Sequence, residues 1–252
     1  MSGKKRIALC LSGEARNSMF CFPYIYENFI NLGDKFEIDV YIHTWKGFRA
    51  LNLYNPIAIE KQIVNENLLF DPFLESFFPK INSDLLKQRI NEGQDYTTYS
   101  NSIKNMFLMF YSIKKCFDLT HSYSSTPYDF YIRSRSDIFF KSPLYIKNIL
   151  LDIEEKIYDM FIPYEIVSNR YLNQYCDQIA ISNYKSMEIY SNIINNLDIP
   201  VNKQQTFNSQ VLLKSWLDYN DIKVNQTYAD FGIVRHSEVI TNDENFNNFL
   251  SL

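Results

Sequence analysis

The stretch RIALCLSGEARN, residues 6–17, is an apolar run that ends in a polar turn with one glycine. Consecutive apolar residues are typical of a strand that is buried on both faces, in the middle of a parallel sheet. A segment with helical spacing follows, with Pro23 near its first turns, and KFEIDVYIHTW, residues 35–45, has the pattern of a second strand. A strand, a helix and a strand in this order predict an α/β fold with a mostly parallel central sheet flanked by helices.

The rest of the chain is consistent with a single domain over residues 1–252. Apolar clusters at three- and four-residue spacing predict a helical insertion at about residues 56–95. The segment NSIKNMFLMFYSIKKCFDL, residues 101–119, predicts a long helix whose Met and Phe stripe packs on the sheet. With 252 residues, 46% of them hydrophobic, the chain can bury one sizeable core.

Composition excludes several classes of function. A formal net charge of −4 argues against a protein that neutralises nucleic-acid phosphates, so we expect no nucleic-acid partner. The four cysteines form no C-x-x-C pair and are expected to be buried and reduced. No apolar stretch approaches the length that spans a bilayer, and we expect a cytoplasmic protein with at most peripheral membrane contact.

The stretch YDFYIRSRSDIFF, residues 128–140, carries charge at alternate positions of a segment that otherwise has the pattern of a buried strand. Side chains alternate between the two faces of a strand, so Arg133, Arg135 and Asp137 are expected on one face, with Asp137 at the carboxyl end. Two interpretations stay open. The arginines and a divalent cation at Asp137 could bind a diphosphate, or Arg135 and Asp137 could satisfy each other as an internal ion pair.

The loop LSGEAR, residues 11–16, follows the first strand and contains a single glycine. It matches neither the dinucleotide motif G-x-G-x-x-G nor the phosphate loop G-x-x-x-x-G-K-[ST]. Ser12 and Gly13 are candidate substrate contacts in a tight turn, and Arg16 is placed to meet an anion near the start of the helix. A surface arginine is the alternative interpretation of Arg16.

Five segments in this order carry a resemblance: IALCLSGEARN, DVYIHTW, NSIKNMFLMFYSIKK, YDFYIRSRSD and DQIAISNYKSMEIYSN. Over about residues 5–235, the chain resembles bacterial and viral glycosyltransferases of surface-polysaccharide gene clusters. The resemblance implies a glycosyltransferase A-type fold, a Rossmann-like sheet that binds a nucleotide sugar. The R-x-R-x-D stretch stands where such enzymes carry Asp-x-Asp, a motif that binds Mn²⁺ or Mg²⁺ and, through it, the diphosphate.

The resemblance also implies a role for individual residues. Asp137 matches the second Asp of the motif, but Arg135 stands at the first, which leaves either a cation held chiefly by Asp137 or a metal-free site. His236, near the carboxyl terminus, is a candidate second metal ligand. Asp177 is the candidate catalytic carboxylate that takes the proton of the acceptor hydroxyl, together with Asp137 as the second catalytic candidate. The alternatives for Asp177 are that it holds sugar hydroxyls, or that it makes a cap or a hydrogen bond that orders the loop. Gln178 is a candidate sugar contact.

Three further candidates could meet the nucleotide. His43 and Trp45 lie at the end of the second predicted strand, where the resembled fold meets the nucleobase, although a buried aromatic is an equally ordinary interpretation of Trp45. Asn101 opens the long helix and could reach the ribose or phosphate, or cap the helix.

These observations favour a glycosyltransferase that moves a sugar from a nucleoside diphosphate sugar to a glycan or lipid-linked acceptor, with a divalent cation as the expected cofactor. Surface polysaccharide or glycoconjugate synthesis is the expected process. A nucleotidyltransferase, and a non-catalytic protein of the same fold that binds nucleotide sugars, are the alternatives.

Overall fold

The computed structural model of the protein describes residues 3–45, 49–62, 103–164, 174–204 and 207–234. Within these ranges the chain forms a seven-stranded sheet and a separate two-stranded sheet, with helices packed against them. The α/β fold predicted from the sequence is confirmed.

The strands of the larger sheet are β1 (Lys5–Ser12), β2 (Phe36–Thr44), β3 (Ala58–Lys61), β4 (Phe130–Ser134), β6 (Met160–Phe161), β7 (Ile179–Ser182) and β8 (Val224–Asn225). Their order across the sheet is β3-β2-β1-β4-β7-β6-β8. The strands β3, β2, β1 and β4 run parallel, in the order 3-2-1-4 with which a Rossmann sheet begins. β7 runs antiparallel to both of its neighbours, and β6 and β8 are parallel. The smaller sheet pairs β5 (Ile138–Phe140) with β9 (Phe231–Ile233).

Six α-helices are described. They are α1 (Ser18–Ile25), α2 (Ile103–Tyr123), α3 (Ile146–Glu154), α4 (Tyr184–Ser191), α5 (Asp198–Gln204) and α6 (Ser209–Tyr219). Asparagine caps two of them, because the side chains of Asn183 and Asn208 accept hydrogen bonds from backbone N–H groups in the first turns of α4 and α6. None of the helices in the described ranges is long and apolar enough to cross a membrane.

The core lies on both faces of β1, whose residues from Ile7 to Ser12 are all buried. The long helix α2 packs against β1 and β2, as its pattern predicts. Its stripe of Met and Phe side chains is buried there rather than exposed to a cofactor. The four cysteines are free and buried, which confirms their expected role as small apolar residues.

Two expectations about local structure were wrong. The helical insertion expected at about 56–95 does not begin at its first residues, because β3 (58–61) pairs in parallel with β2. Residues 63–95 lie outside the described residues. The stretch 128–140 is not one strand, because β4 ends at Ser134, where its pairing with β7 ends, and the chain turns before β5 joins the smaller sheet.

Candidate active site

Three strand ends of the larger sheet meet at one edge. The parallel strands β1 and β4 end there, at Ser12 and Ser134. β7 runs antiparallel and pairs Ile179 with Ser134, so the residues just before β7 lie at the same edge. In open α/β sheets, ligands bind beyond the carboxyl ends of the strands. We call the six predicted site residues at this edge the carboxyl-edge cluster: Ser12, Arg133, Arg135, Asp137, Asp177 and Gln178.

Arg133 is the centre of this cluster and is almost completely buried, with 1% of its surface exposed. Its Nε donates a hydrogen bond of 3.1 Å to Ser12 Oγ, and its Nη1 donates to the backbone carbonyl of Asp177. Arg133 thus links the end of β1 to the segment that leads into β7. Among the described residues we find no carboxylate within ion-pair distance of its guanidinium. A buried cation without an acidic partner costs several kcal/mol, and such residues mark candidate functional sites.

Arg135 and Asp137 form a two-pronged ion pair across the turn that follows β4. Arg135 donates from Nε to Oδ1 and from Nη2 to Oδ2 of Asp137, each at 2.7 Å. The Asp137 side chain is completely buried, whereas 19% of the Arg135 side chain is exposed. Burial disfavours the charged guanidinium, but the hydrogen bonds and charge of Asp137 outweigh it and raise the pKa of Arg135. The internal ion pair that the sequence left open is the arrangement observed.

The described residues do not fit a divalent cation at Asp137. Both carboxylate oxygens already accept hydrogen bonds from Arg135, and the side chain has no exposed surface. Within the part of the chain that the structure describes, no group of three His, Cys, Asp or Glu side chains could hold a metal ion. The other expected ligand, His236, lies outside the described residues. Val234, two positions before it, donates a backbone hydrogen bond of 2.9 Å to the carbonyl of Asp137.

The Asp177 carboxylate accepts a hydrogen bond from Ser209, a residue that the sequence patterns did not single out. Ser209 Oγ, at the start of α6, donates a hydrogen bond of 2.6 Å to Asp177 Oδ2. Both side chains are buried. We find no hydrogen bond to Asp177 Oδ1 among the described residues, so one carboxylate oxygen is available to accept a proton. The only sequence signal for Ser209 was its place at a helix start, which predicts capping and not contact with Asp177.

Gln178 is buried, with 9% of its surface exposed. Its Oε1 has no hydrogen-bond partner among the described residues. Leaving a buried amide oxygen unsatisfied costs about 1–3 kcal/mol, and each such atom calls for a physical explanation. A ligand hydroxyl would supply the missing donor, which keeps Gln178 a candidate sugar contact.

The turn after β1 has the geometry that the single glycine predicts. Gly13 has a φ of +115°, which side chains rarely allow, and its N–H donates to the carbonyl of His43 at 3.1 Å. Arg16 is exposed, and its Nε donates to Glu14 Oε2 at 2.8 Å. This ion pair agrees with the alternative interpretation, that Arg16 is a surface arginine. We do not include Arg16 in the cluster.

His43 lies in the core rather than at the edge. It is completely buried, with Nδ1 2.8 Å from Ser112 Oγ and Nε2 3.2 Å from Gln62 Oε1. Ser112 Oγ also lies 3.3 Å from the backbone carbonyl of His43, and its one proton serves either that carbonyl or Nδ1. A neutral ring with its proton on Nε2 donates to Gln62 Oε1. Burial lowers the pKa of His43 and favours that neutral form. Both ring nitrogens are therefore used to tie β2 to its neighbours, and we do not include His43 in the cluster.

Trp45 follows β2 and is half-buried. Its ring packs at 5.6 Å from that of Tyr111 on α2 and at 5.2 Å, edge to face, from that of His43. The residue is thus both part of an aromatic cluster and partly open to a planar ligand, and its assignment as a nucleobase contact stays a prediction. Asn101 lies outside the described residues.

Comparison with known proteins finds no match to a protein-family model and no match among curated proteins. Two similar solved structures are mouse xyloside xylosyltransferase 1, in its apo form, and a CMP:2-keto-3-deoxy-manno-octonic acid synthetase in complex with CTP. The first is 11% identical, with a TM-score of 0.46 over 89% of this chain and 85% of that chain. The second is 9% identical, with a TM-score of 0.46 over 99% of both chains. Similarity at this level assigns no activity to the chain.

Proposed function

We propose that the chain is a glycosyltransferase that uses a nucleoside diphosphate sugar as donor and a glycan or lipid-linked molecule as acceptor. We further propose that it acts in surface polysaccharide or glycoconjugate synthesis. The donor diphosphate would lie at the carboxyl-edge cluster.

The observation that carries the proposal is the environment of Arg133. Its guanidinium is buried, and no carboxylate among the described residues compensates its charge by direct contact. An anion bound at the same edge, beside the partly exposed Arg135, would compensate that charge through space without touching Arg133. A diphosphate suits this position, because Arg135 lies on the same edge and arginine donors match phosphate oxygens in geometry.

The reaction gives different roles to the two arginines and to Asp177. An oxygen of the acceptor hydroxyl forms a bond to the anomeric carbon of the sugar, and the bond from that carbon to the diphosphate oxygen breaks. The leaving nucleoside diphosphate keeps the electron pair, and the arginines stabilise the charge that develops on it. In a transfer with inversion, Asp177 Oδ1 takes the hydroxyl proton, while Ser209 holds Oδ2.

The alternatives lead to different products. A nucleotidyltransferase joins a nucleoside triphosphate to a sugar and releases pyrophosphate, and it usually relies on paired metal carboxylates. Asp137 is engaged by Arg135, and the loop after β1 has one glycine, so the described residues favour this alternative less. A non-catalytic protein of the same fold would bind nucleotide sugars and release nothing.

The experiment that tests the proposal identifies the product. The full chain is incubated with a panel of nucleoside diphosphate sugars together with glycan and lipid-linked acceptors, and separately with nucleoside triphosphates plus free sugars. The released phosphate compounds and the glycosylated acceptor are identified by mass spectrometry. Release of a nucleoside diphosphate from at least one sugar donor is the expected result. Pyrophosphate release supports the nucleotidyltransferase, and binding without any release supports the non-catalytic protein.

A further inference from the structure

The ion pair between Arg135 and Asp137 leaves part of the guanidinium group available. A guanidinium has five N–H donors, and the two bonds to Asp137 use one on Nε and one on Nη2. Three donors remain, and we find no partner for them among the described residues. The Arg135 side chain is 19% exposed, whereas that of Asp137 is completely buried, so Arg135 is the member of the pair that is open to solvent.

A metal ion at Asp137 would have to displace this arrangement. Both carboxylate oxygens accept from Arg135, so a divalent cation bound to either would lie within a few ångströms of the guanidinium charge. Like charges at that distance repel, and the repulsion is doubled for a divalent ion beside a guanidinium. If a metal ion took Asp137 out of this pair, the guanidinium of Arg135 would also be left without a compensating charge.

We infer that Arg135, held in place by Asp137, takes the position that a divalent cation occupies in metal-dependent transferases. The free N–H groups of Arg135 would bind the donor diphosphate and stabilise its charge as the sugar leaves. Asp137 is then a positioning residue that orients Arg135 and does not touch the donor. This inference rests on the proposed function, since it assumes that a nucleoside diphosphate binds at this edge.

The formal charges of the cluster show what the ion pair of Arg135 and Asp137 can contribute to anion binding. Arg133 and Arg135 carry one positive charge each, and Asp137 and Asp177 carry one negative charge each, so the four formal charges cancel. The ion pair therefore offers oriented donors rather than net charge, and donors fixed in advance are the main source of electrostatic stabilisation in enzymes. Arg133, which has no direct acidic partner among the described residues, provides the stronger attraction for the anion.

The test measures the affinity for nucleoside diphosphates by titration calorimetry on the full chain. UDP, GDP, CDP and ADP serve as probes, each in the presence of a chelator and in the presence of Mn²⁺ or Mg²⁺. We expect at least one probe to bind with the chelator present, with a dissociation constant that the metal changes by less than about threefold. Binding that requires the metal overturns this inference and leaves the proposed function standing. Failure of every probe in every condition overturns both.

Two variants separate the roles of the pair. Arg135→Lys keeps the charge but loses the paired donors, and we expect it to weaken binding of the probe by about tenfold or more. Asp137→Asn frees Arg135 to move, and we expect weaker binding that is still independent of the metal. A metal site predicts the opposite, namely that Arg135→Lys binds as the wild type does and that Asp137→Asn abolishes a metal response.

The matched control is Arg6→Lys, which alters another Arg–Asp pair of this sheet. Arg6 Nη2 donates to Asp39 Oδ2 at 2.8 Å near the amino end of β1, away from the cluster. We expect this variant to bind the probe as the wild type does. Thermal unfolding of each variant reports whether it is folded, and equal weakening of binding in Arg6→Lys and Arg135→Lys would overturn the specific role of Arg135.

Discussion

Ser209 Oγ donates a 2.6 Å hydrogen bond to Asp177 Oδ2, so the first residue of α6 holds the carboxylate that precedes β7. The two residues are 32 positions apart in the sequence, and both are buried. A carboxylate with one oxygen fixed and the other available suits a base that must meet a hydroxyl in a defined direction. The candidate base therefore depends on a contact that only the folded chain provides.

Ser209→Ala should slow sugar transfer without preventing donor binding. The variant loses one hydrogen bond to a charged group, which contributes about 1.5–3 kcal/mol, and Asp177 loses its fixed orientation. We expect a fall in kcat of about tenfold, with KM for the donor changed by less than about threefold. Steady-state kinetics measure both values. Ser209→Thr, which keeps the hydroxyl, should recover part of the rate, and a rate unchanged in Ser209→Ala would contradict the role of this contact.

Arg133→Met should weaken donor binding strongly with little loss of stability. The substitution removes a buried charge that has no direct acidic partner among the described residues, and relief of that desolvation offsets the two lost hydrogen bonds. We expect the free energy of unfolding to change by less than about 2 kcal/mol and the affinity for a nucleoside diphosphate to fall by about 100-fold. Urea unfolding and calorimetry provide the two values. Normal binding in Arg133→Met would show that the charge serves the fold alone.

The pair of Arg135 and Asp137 should couple strongly in stability. Asp137→Ala leaves a mostly buried guanidinium without its partner, and we expect a loss of about 3–5 kcal/mol in the free energy of unfolding. A second substitution, Arg135→Met, should restore at least half of that loss, because it removes the unpaired charge. Urea unfolding of both single variants and the double variant completes the cycle. Losses that simply add would contradict a direct pair.

His43 should make stability fall at mildly acidic pH. Because burial lowers its pKa, the folded chain binds this proton less readily than the unfolded chain does. The contribution of the neutral ring is complete above the ordinary pKa of 6.5 and is lost as the pH falls from there through the lowered pKa. The slope from this residue is at most about 1.4 kcal/mol per pH unit.

The check on this prediction is the free energy of unfolding, measured by urea from neutral pH to about pH 5. His43→Gln should be less stable at neutral pH and should show a smaller slope than the wild type. An equal slope in the wild type and in His43→Gln would rule out this source of pH dependence.

Sequence patterns predicted the frame of the site because local rules govern it. The apolar run of β1 and the stripe of α2 place both elements in the core, and Gly13 predicts the turn that opens the edge. The pattern also placed Arg133 in this strand and Asp137 near its carboxyl end, and Asp137 lies just beyond that end in the structure.

The partners of the site residues could not be predicted in this way. Alternation assumed one strand through residue 140, but the pairing of β4 with β7 ends at Ser134, and the turn allows Arg135 to meet Asp137. His43 had the position of a ligand contact, yet its hydrogen bonds to Ser112 and Gln62 depend on how α2 and β3 pack. Contacts between distant segments are set by packing, which single-sequence patterns do not encode.

The most direct test of the proposed function is the turnover of a nucleoside diphosphate sugar by the wild type and by Asp177→Asn. With glycan and lipid-linked acceptors present, we expect the wild type to release the nucleoside diphosphate from at least one donor of the panel. Asp177→Asn should be slower by about 100-fold, since a general base contributes about 10²–10⁴-fold. Its affinity for the donor should stay within about threefold of the wild type.

Asp218→Asn, at an exposed ion pair of α6, should be as active as the wild type. Full turnover in Asp177→Asn would contradict the assigned base, and no release from any donor by the wild type would contradict glycosyl transfer itself.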